Sequence, residues 1–581
     1  MFRKNADHQQ WPLFSSLDAL PDKQRARLEA SWAGTFYHQL FSRIDEAPFA
    51  VLYSDNPATR PNIPVNVLVG FETLKAGFGW SDEETYDHYC FDLQVRYALG
   101  HRDLSGGHFE LRSVYNFRQR VAQHMQTTGE NLIAQAFEQV ADAQINAFKL
   151  RTDKLRMDST LIASNIRETT RLQLLVEVLQ RAHRMLTEAD QQRYAEAFAP
   201  YLKGTSGQYI YTLKRTAYAE HLQQVGELMQ QLVTELHALY AEAPAYQVLA
   251  RVFREHFVSD TQPLRTKEGS ELSASSLQSP DDWEATYRRK RDMESQGYVA
   301  NVTDTCHPDN PFQLIVKLQT AANTTDDAVL LAEALPDLVQ RTGVNEMHTD
   351  GGYNSADADQ VLHQQRVQLV QSAIRGRQPA REKLGRADFT WQLGEEDEQP
   401  QHVTCPHGQQ VPVTAGRKPG RYRAAFAAAT CDQCPQRTQC PAQPLKRQPE
   451  YVLRFSQHDL HVALRRQRCA DERASLQHLR PAVEATVRAV KHPFGNGKVP
   501  VRGKSRVSML LTSSAAMYNV RQIHRYQVRQ KTAVKGQKDS QKVGVSACRQ
   551  FFASFLAALG THLQATWGLI CPRPLVWARS S

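Results

Sequence analysis

No stretch of this 581-residue chain reaches eighteen consecutive apolar residues, the length a helix needs to cross a bilayer. The nearest run, Ala553 to Ile570, is broken by His562, Gln564 and two glycines. The N-terminal MFRKNADHQQW has no apolar core of the kind a signal peptide carries, so a cytoplasmic protein with no membrane partner is expected. Cysteine is scarce and odd in number: nine, five of them scattered singly, which excludes a secreted disulfide framework. Internal repeats are absent. What is present is the composition of folded protein: 41 % hydrophobic and 23 % charged residues exclude a disordered or collagen-like chain. At this length two to four structural units are expected.

Charge is unevenly placed. Residues 461–550 hold nineteen Lys and Arg against Asp471, Glu472, Glu484 and Asp539, a net +15, while the whole chain is only +9. The remainder is therefore net acidic. A basic region on such a body suits a polyanion, because Lys and Arg release counterions from phosphate; a solvated, soluble tail is the plainer alternative.

Patterning divides the chain. Residues 1–150 read as short helices with polar connections, among them Val65 to Phe78, followed by a capping box at Ser81 and Glu84. They suit a DNA-binding head or a dimerisation bundle equally. LRMDSTLIAS reads as a strand with Leu155 and Met157 on one face and Arg156 and Asp158 on the other. A helical block follows, at about 169–278. ATYRRKR, GYVANVTDTC and LIVKLQT then read as strands, before helix and strand alternate through Asp326–Leu338, NEMHTD, Ser355–Gln365 and Val367–Ile374. This is an α/β core interrupted by a helical insertion. Residues 376–447 lose periodicity and carry four cysteines; Pro481 to Lys491 is helical again, and the tail from 531 is basic and little organised.

Three acids stand out by their setting. Asp158 lies on a strand; Asp350 ends one, directly before Gly351 and Gly352; Glu484 lies on the helix of LRPAVEATVRAVK, beside an apolar stripe of Val483, Val487 and Val490. Taken singly, each reads as readily as a structural carboxylate; Glu484 suits an i,i+4 pair with Arg488. As an ordered set, MDST, TDGGY and Arg480-x3-Glu484-x6-Lys491 resemble the DDE transposases of bacterial insertion sequences, in the subgroup with an inserted cysteine cluster. That family usually has Tyr three positions before the Arg; here Gln477 stands there. SPDDWEATYRRKR, RGKSRV and AAMYNVRQI extend the resemblance, over roughly residues 20–525.

The resemblance implies a ribonuclease-H-like mixed sheet core, split as 151–375 and 448–530. It implies that Asp158, Asp350 and Glu484 are catalytic, Asp158 bridging two Mg²⁺ (or Mn²⁺) ions and the other two each completing one. Carboxylate oxygens suit such hard ions, and a metal pair suits in-line phosphodiester cleavage. Arg480 and Lys491 would then face phosphate, with Arg488, Arg502, Lys504 and Arg506 as further DNA contacts. The implied activity is cleavage at the ends of the element and joining of a 3′-hydroxyl to target DNA, by a homodimer or higher assembly on double-stranded DNA, nucleoid-associated in the cell. Two alternatives stand beside it: a zinc-containing DNA-binding protein without catalysis, and a nuclease of the same fold.

Cys405, Cys431, Cys434 and Cys440 form a second constellation. Four thiolates close a tetrahedral zinc site in a reducing compartment, and a zinc-ribbon-like insertion is expected at 376–447. His407 or His402 is a possible substitute for one thiolate, and four unliganded thiols are the plainer reading.

Overall fold

Ten residues, Lys154–Ala163, form the central strand β1. The computed structural model describes residues 1–10, 15–56, 58–259, 264–290, 293–372, 382–394, 399–475 and 479–533. Outside them fall Gln477, the acids at 395–398, and the tail from 534 with Cys548 and Cys571. Two units are distinguished, Met1–Val520 and Arg521–Ser581. Of the second, residues 521–533 are described, and they are helical.

In the first unit, β2 (Phe257–Val258) and β3 (Arg265–Thr266) pair only with each other. β4 (Thr286–Lys290), β5 (Met293–Thr305), β6 (Ile315–Ala322), β7 (Glu346–Thr349) and β8 (Gln368–Gln371) join β1 in one sheet. Its spine runs β6-β5-β1-β7-β8, and β4 continues the outer edge of β5. β5 lies antiparallel to β1 and β6, whereas β1, β7 and β8 are parallel. This mixed sheet, with helices Asp327–Thr342 and Ala356–Gln364 making the parallel crossovers, fits the ribonuclease-H-like expectation. Gly297 allows β5 to pass from β4 to β1: its φ is +150°, and a Cβ would strike the backbone of Ile162 and Ser164.

The N-terminal helices include Val65–Phe78, and Ser81 and Glu84 form the capping box read from the sequence. Their buried residues, among them Phe36, Phe71, Val114 and Phe137, share one hydrophobic core with Ile162, Tyr298 and Val302 of the sheet and with Val507–Val520. Lys317 reaches Glu138 at 2.7 Å, and Arg341 reaches Asp142 at 2.8 Å, fastening helix Leu132–Phe148 to the sheet side. Buried Asn519 bonds both the N–H and the C=O of Ile315 at 2.8 Å, which closes the β6 backbone where the sheet register shifts. The Ser-rich SPDD segment holds a buried hub. Asp282 accepts from the Ser164 hydroxyl, the Tyr298 hydroxyl and the Gly503 N–H, tying the end of β1 to the start of the later helix.

Between β1 and β4 the helices Arg171–Met185, Tyr218–Tyr240 and Pro244–His256 bury their own cluster around Leu175, Leu179, Met229 and Leu249. Where the sequence loses periodicity, β9 (Thr390–Leu393), β10 (Pro400–Thr404), β11 (Gln410–Ala415), β12 (Arg421–Ala427), β13 (Gln443–Pro444) and β14 (Glu450–Ser456) form a second, antiparallel sheet. Phe389, Val403, Phe426, Leu453 and Phe455 are its core. The alternation in RYRAAFA and EYVLRFS carries that signal, but strands of two to seven residues give a period-2 pattern little length in which to register.

Candidate active site

β1 and β7 pair in register through Arg156 and His348. Two residues further on, the same register brings Asp158 beside Asp350, at the end of β7. Burial pushes the Asp158 carboxyl up to about 6, with the Asp350 charge adding to the rise and Arg480 opposing it. The turn after β7 is shaped around these acids. The Gly352 N–H donates to Asp350 Oδ1 at 2.8 Å. A Cβ at 352 would lie 3.0 Å from that oxygen and 2.8 Å from Oδ2 of Asp327, so only glycine fits between the two carboxylates without displacing one.

Asp327 is a carboxylate the sequence reading missed. It opens helix Asp327–Thr342, while its neighbour Asp326 provides the cap. Burial raises its carboxyl, Asp350 adds to the rise, and a bond from Ser159 lowers it. One of its oxygens, Oδ1, is buried with no hydrogen-bond partner. Fully buried Tyr353 closes the floor: its hydroxyl donates to Asn301 at 2.7 Å. Burial, together with the charges of Asp327, Asp158 and Asp350, holds its phenol well above the usual range. In sequence, Asp327 is concealed because Thr-Thr-Asp-Asp before an apolar run reads as a helix start and nothing more.

Glu484 arrives from the opposite side, on helix Val483–Lys491, whose buried Val483, Val487 and Val490 dock it. Pro481 lies in the short turn Arg480–Ala482 that leads in. Glu484 remains exposed at its tip and pairs with Arg480, not Arg488, at 2.8 Å. Arg480 also reaches Asp158, at 3.1 Å. One guanidinium thus spans two of the three expected acids, a cation in the place between them. Among the described residues no three His, Cys, Asp or Glu side chains stand close enough together to hold a metal ion as placed. The donor chemistry suits hard divalent ions, and the bridging Arg480 marks where positive charge is favoured.

Residues 404–524 match the family model described as Transposase DDE domain. That stretch is similar to a transposase DDE domain. Such enzymes generally use divalent metals such as Mg²⁺, and the family implies DNA as partner. The match covers about a fifth of the chain and includes Glu484, while Asp158 and Asp350 lie outside it. Neither the curated proteins nor the solved structures gave a match to the chain.

Within residues 404–524 the other expected residues are spread out. Lys491 turns back onto β1: its ammonium donates to Thr160 Oγ1 at 3.1 Å and to the Leu161 carbonyl at 2.9 Å, and burial lowers its pKa. Arg488 and Arg506 are exposed. Arg502 is engaged with Asp281 at 3.2 Å and with the Asn165 carbonyl at 2.6 Å, and the Lys504 N–H bonds Glu284 at 3.0 Å. These last residues adjoin the far end of β1, at Ala163, about 17 Å along the strand from Asp158.

Cys405, Cys431, Cys434 and Cys440 line one cavity of about 60 Å³ beside Phe389 and Phe426. His407 also lines it; His402 does not. Burial raises the Cys431 thiol, and the neighbouring Cys440, Cys405 and Cys434 add to the rise, which places all four in one electrostatic neighbourhood. The loop carrying three of them is braced from outside: Arg437 stacks on Tyr451 at 3.9 Å, and the Tyr451 hydroxyl donates to Asp432 at 2.7 Å. The donor set suits zinc, although the thiols as placed do not stand at ligand spacing.

No helix among the described residues is long and apolar enough to cross a membrane.

Proposed function

We propose that this chain is a transposase that cleaves the ends of an insertion sequence and joins the freed 3′-hydroxyl to target DNA. The observation that supports the reading is Arg480, which spans Asp158 and Glu484, with Asp350 beside Asp158 at the end of the neighbouring parallel strand. Asp158, Asp350 and Glu484 would hold the two divalent ions. When bound, such a pair supplies charge stabilisation to the entering and leaving oxygens of an in-line displacement.

The chain's own groups do the rest. Arg480, released from the acids, grips a phosphate through its fork. Attack by water at the scissile phosphorus breaks the bond to the 3′-oxygen, leaving a 3′-hydroxyl and a 5′-phosphate. That hydroxyl, held in the same pocket, then attacks a target phosphorus, forming a new 3′-oxygen–phosphorus bond as the bond to the target strand's own 3′-oxygen breaks and leaves a 3′-hydroxyl. Arg488 and Arg506 are free to follow the backbone, and Lys491 sets β1 against the Glu484 helix. Domains 1–150 and 376–447 serve DNA or partner contacts, the latter around a structural zinc, and the working unit is a dimer or larger.

The test incubates purified full-length protein and Mg²⁺ with duplex carrying the element's terminal repeats, then with pre-cut ends and a plasmid target. Cleavage at the 3′ end and joining are expected. Cleavage without joining would favour the nuclease, and end binding without either would favour the non-catalytic DNA-binding protein.

A further inference from the structure

Directly opposite each other in the β1–β5 ladder stand Arg156 and Asp304. Both are withdrawn from solvent: the Arg156 side chain is 7 % exposed and that of Asp304 0 %. Their fork is bidentate, Nε to Oδ1 and Nη2 to Oδ2, each at 2.7 Å. Two further bonds leave this pair, and both run to the Glu484 segment. Arg156 Nη1 donates to the Leu479 carbonyl at 3.0 Å, one residue before Arg480. The Thr486 hydroxyl, on a residue 1 % exposed and two positions after Glu484, donates to Asp304 Oδ2 at 2.8 Å.

We infer that the buried Arg156–Asp304 pair is a positioning device that sets the Arg480–Glu484 turn against Asp158, with Thr486 as the helix's contact to it. The inference rests on the proposed catalytic reading of the three acids. Its logic is geometric. Asp158 lies two residues from Arg156 on β1, so the two side chains share a face of the strand. Leu479 and Thr486 bracket Arg480 and Glu484. One rigid ion pair therefore fixes both borders of the segment that must meet Asp158, with Asp158's own strand as the reference. Apolar packing by Val483, Val487 and Val490 holds the helix down but leaves it free to slide or rotate; directional bonds remove that freedom.

A buried ion pair is a poor choice for stability alone, since packed apolar residues of similar volume often serve as well or better. Here both carboxylate oxygens and the third guanidinium nitrogen are used, the condition under which such a pair specifies one arrangement. Burial pushes the Asp304 carboxyl up, and the bonds from Arg156 and Thr486 pull it down.

The test uses full-length protein and Mn²⁺ alone, titrated by electron paramagnetic resonance, beside melting curves of the metal-free protein. Thr486→Val removes one hydroxyl at nearly constant volume. It should weaken Mn²⁺ binding roughly tenfold, the lower end of what losing an outer-shell partner costs, while the metal-free melting temperature changes little. Thr486→Ser should restore binding. Arg156→Lys, which keeps the charge but lacks the fork, should weaken Mn²⁺ binding more than Thr486→Val does. Wild-type affinity in the Thr486→Val protein overturns the positioning role while leaving the proposed function standing. So does a loss of Mn²⁺ binding that follows a fallen melting temperature and is not restored by serine, because the network then serves the fold only. Absence of Mn²⁺ binding in the wild type removes the catalytic reading and this inference with it.

Discussion

The two candidate metal centres of this chain are built on opposite principles. At the acid centre the candidate ligands are set in a polar frame: Asp158 lies within β1, Asp350 directly follows the adjacent β7, Gly352 and Tyr353 shape the turn beneath them, and an internal cation, Arg480, already spans Asp158 and Glu484. At the cysteine centre four thiols line a small cavity against the apolar core of a separate sheet, and the bracing contacts lie outside the ring of donors. The first arrangement spends hydrogen bonds on holding charges apart until they are needed. The second has an apolar core of its own, separate from its donors. Losing a ligand should therefore disable the first centre without unfolding it, and loosen the second only locally.

The largest effect tests the first half of that contrast. Asp158→Asn, Asp350→Asn and Glu484→Gln should each lower end cleavage by more than a hundredfold, since even an outer-shell partner costs ten- to a hundredfold at a metal site. Binding of end DNA should persist, because phosphate contacts come mainly from basic residues. Gel-shift and cleavage assays on one preparation read both. Asp327→Asn separates the fourth carboxylate from the other three: full cleavage in that variant would make Asp327 a neighbour of the site and not a participant.

The cysteine centre comes next. Purified protein should carry about one zinc per chain, by atomic absorption, and Cys431→Ser should lose it. Metal binding supplies folding energy in domains that lack a core, but Phe389, Val403, Phe426, Leu453 and Phe455 give this sheet one. The expected result is enhanced protease cleavage confined to the loop near residues 428–442, with β12 and β14 protected. Cleavage throughout 390–456 would mean that the ion, not the apolar core, holds the sheet, and the contrast between the centres would fail.

The contrast also governs what was legible in the amino acids. Asp158, Asp350 and Glu484 were readable because each sits in a short, ordered motif, and β1, β5 and β6 because they are eight to thirteen residues long. Asp327 was not readable: an aspartate at a helix start has a sufficient local reason to be there, and its nearness to Asp350 arises only when β6 and β7 take their places on opposite sides of the β5–β1 pair. Asp304 was hidden likewise, since a carboxylate within GYVANVTDTC acquires its partner only through the β1–β5 register. The second sheet left little trace in the sequence because its strands are short. The resemblance implies that Lys491 faces phosphate, whereas the fold turns it onto Thr160 and the Leu161 carbonyl of β1. Position along a motif carries chemistry well; the direction of a long, flexible side chain depends on what packs beside it.

A smaller effect, of opposite sign at two ligands, probes Arg480. If its guanidinium stands where positive charge belongs between Asp158 and Glu484, it competes with cations in the DNA-free protein. Arg480→Gln should then tighten Mn²⁺ binding, by roughly tenfold for one lost, largely buried competitor, and weaken binding to end DNA by a similar factor. Two titrations, one with Mn²⁺ and one with DNA, give the answer. Weakening of both would make Arg480 part of the ion site's scaffold and remove the competition.

The smallest effect is a control that touches neither centre. Asp82 opens helix Asp82–Phe91 and receives Lys75 at 2.6 Å and Arg118 at 2.6 Å, and Arg118 also reaches Glu72 at 2.7 Å. Burial alone would raise the Asp82 carboxyl, but the bonds and charges of Arg118 and Lys75 prevail and hold it down at about 2, against 3.8 for the free group. A folded-state value below the unfolded one means that the ionised form is favoured by folding. That contribution is complete above about pH 4 and is lost as pH falls from there through about 2. With the Asp82 side chain a quarter exposed, screening reduces its worth to about 1 kcal/mol. Asp82→Asn should therefore lower stability in urea by about that amount at pH 6 and by little at pH 2.5, where the wild type has already given up most of the difference. Because neither metal centre lies in this network, chelator should leave the Asp82→Asn difference unchanged. A chelator-dependent difference would show that the N-terminal helices and the metal centres are coupled through their shared core, and the two centres could then no longer be compared as independent parts.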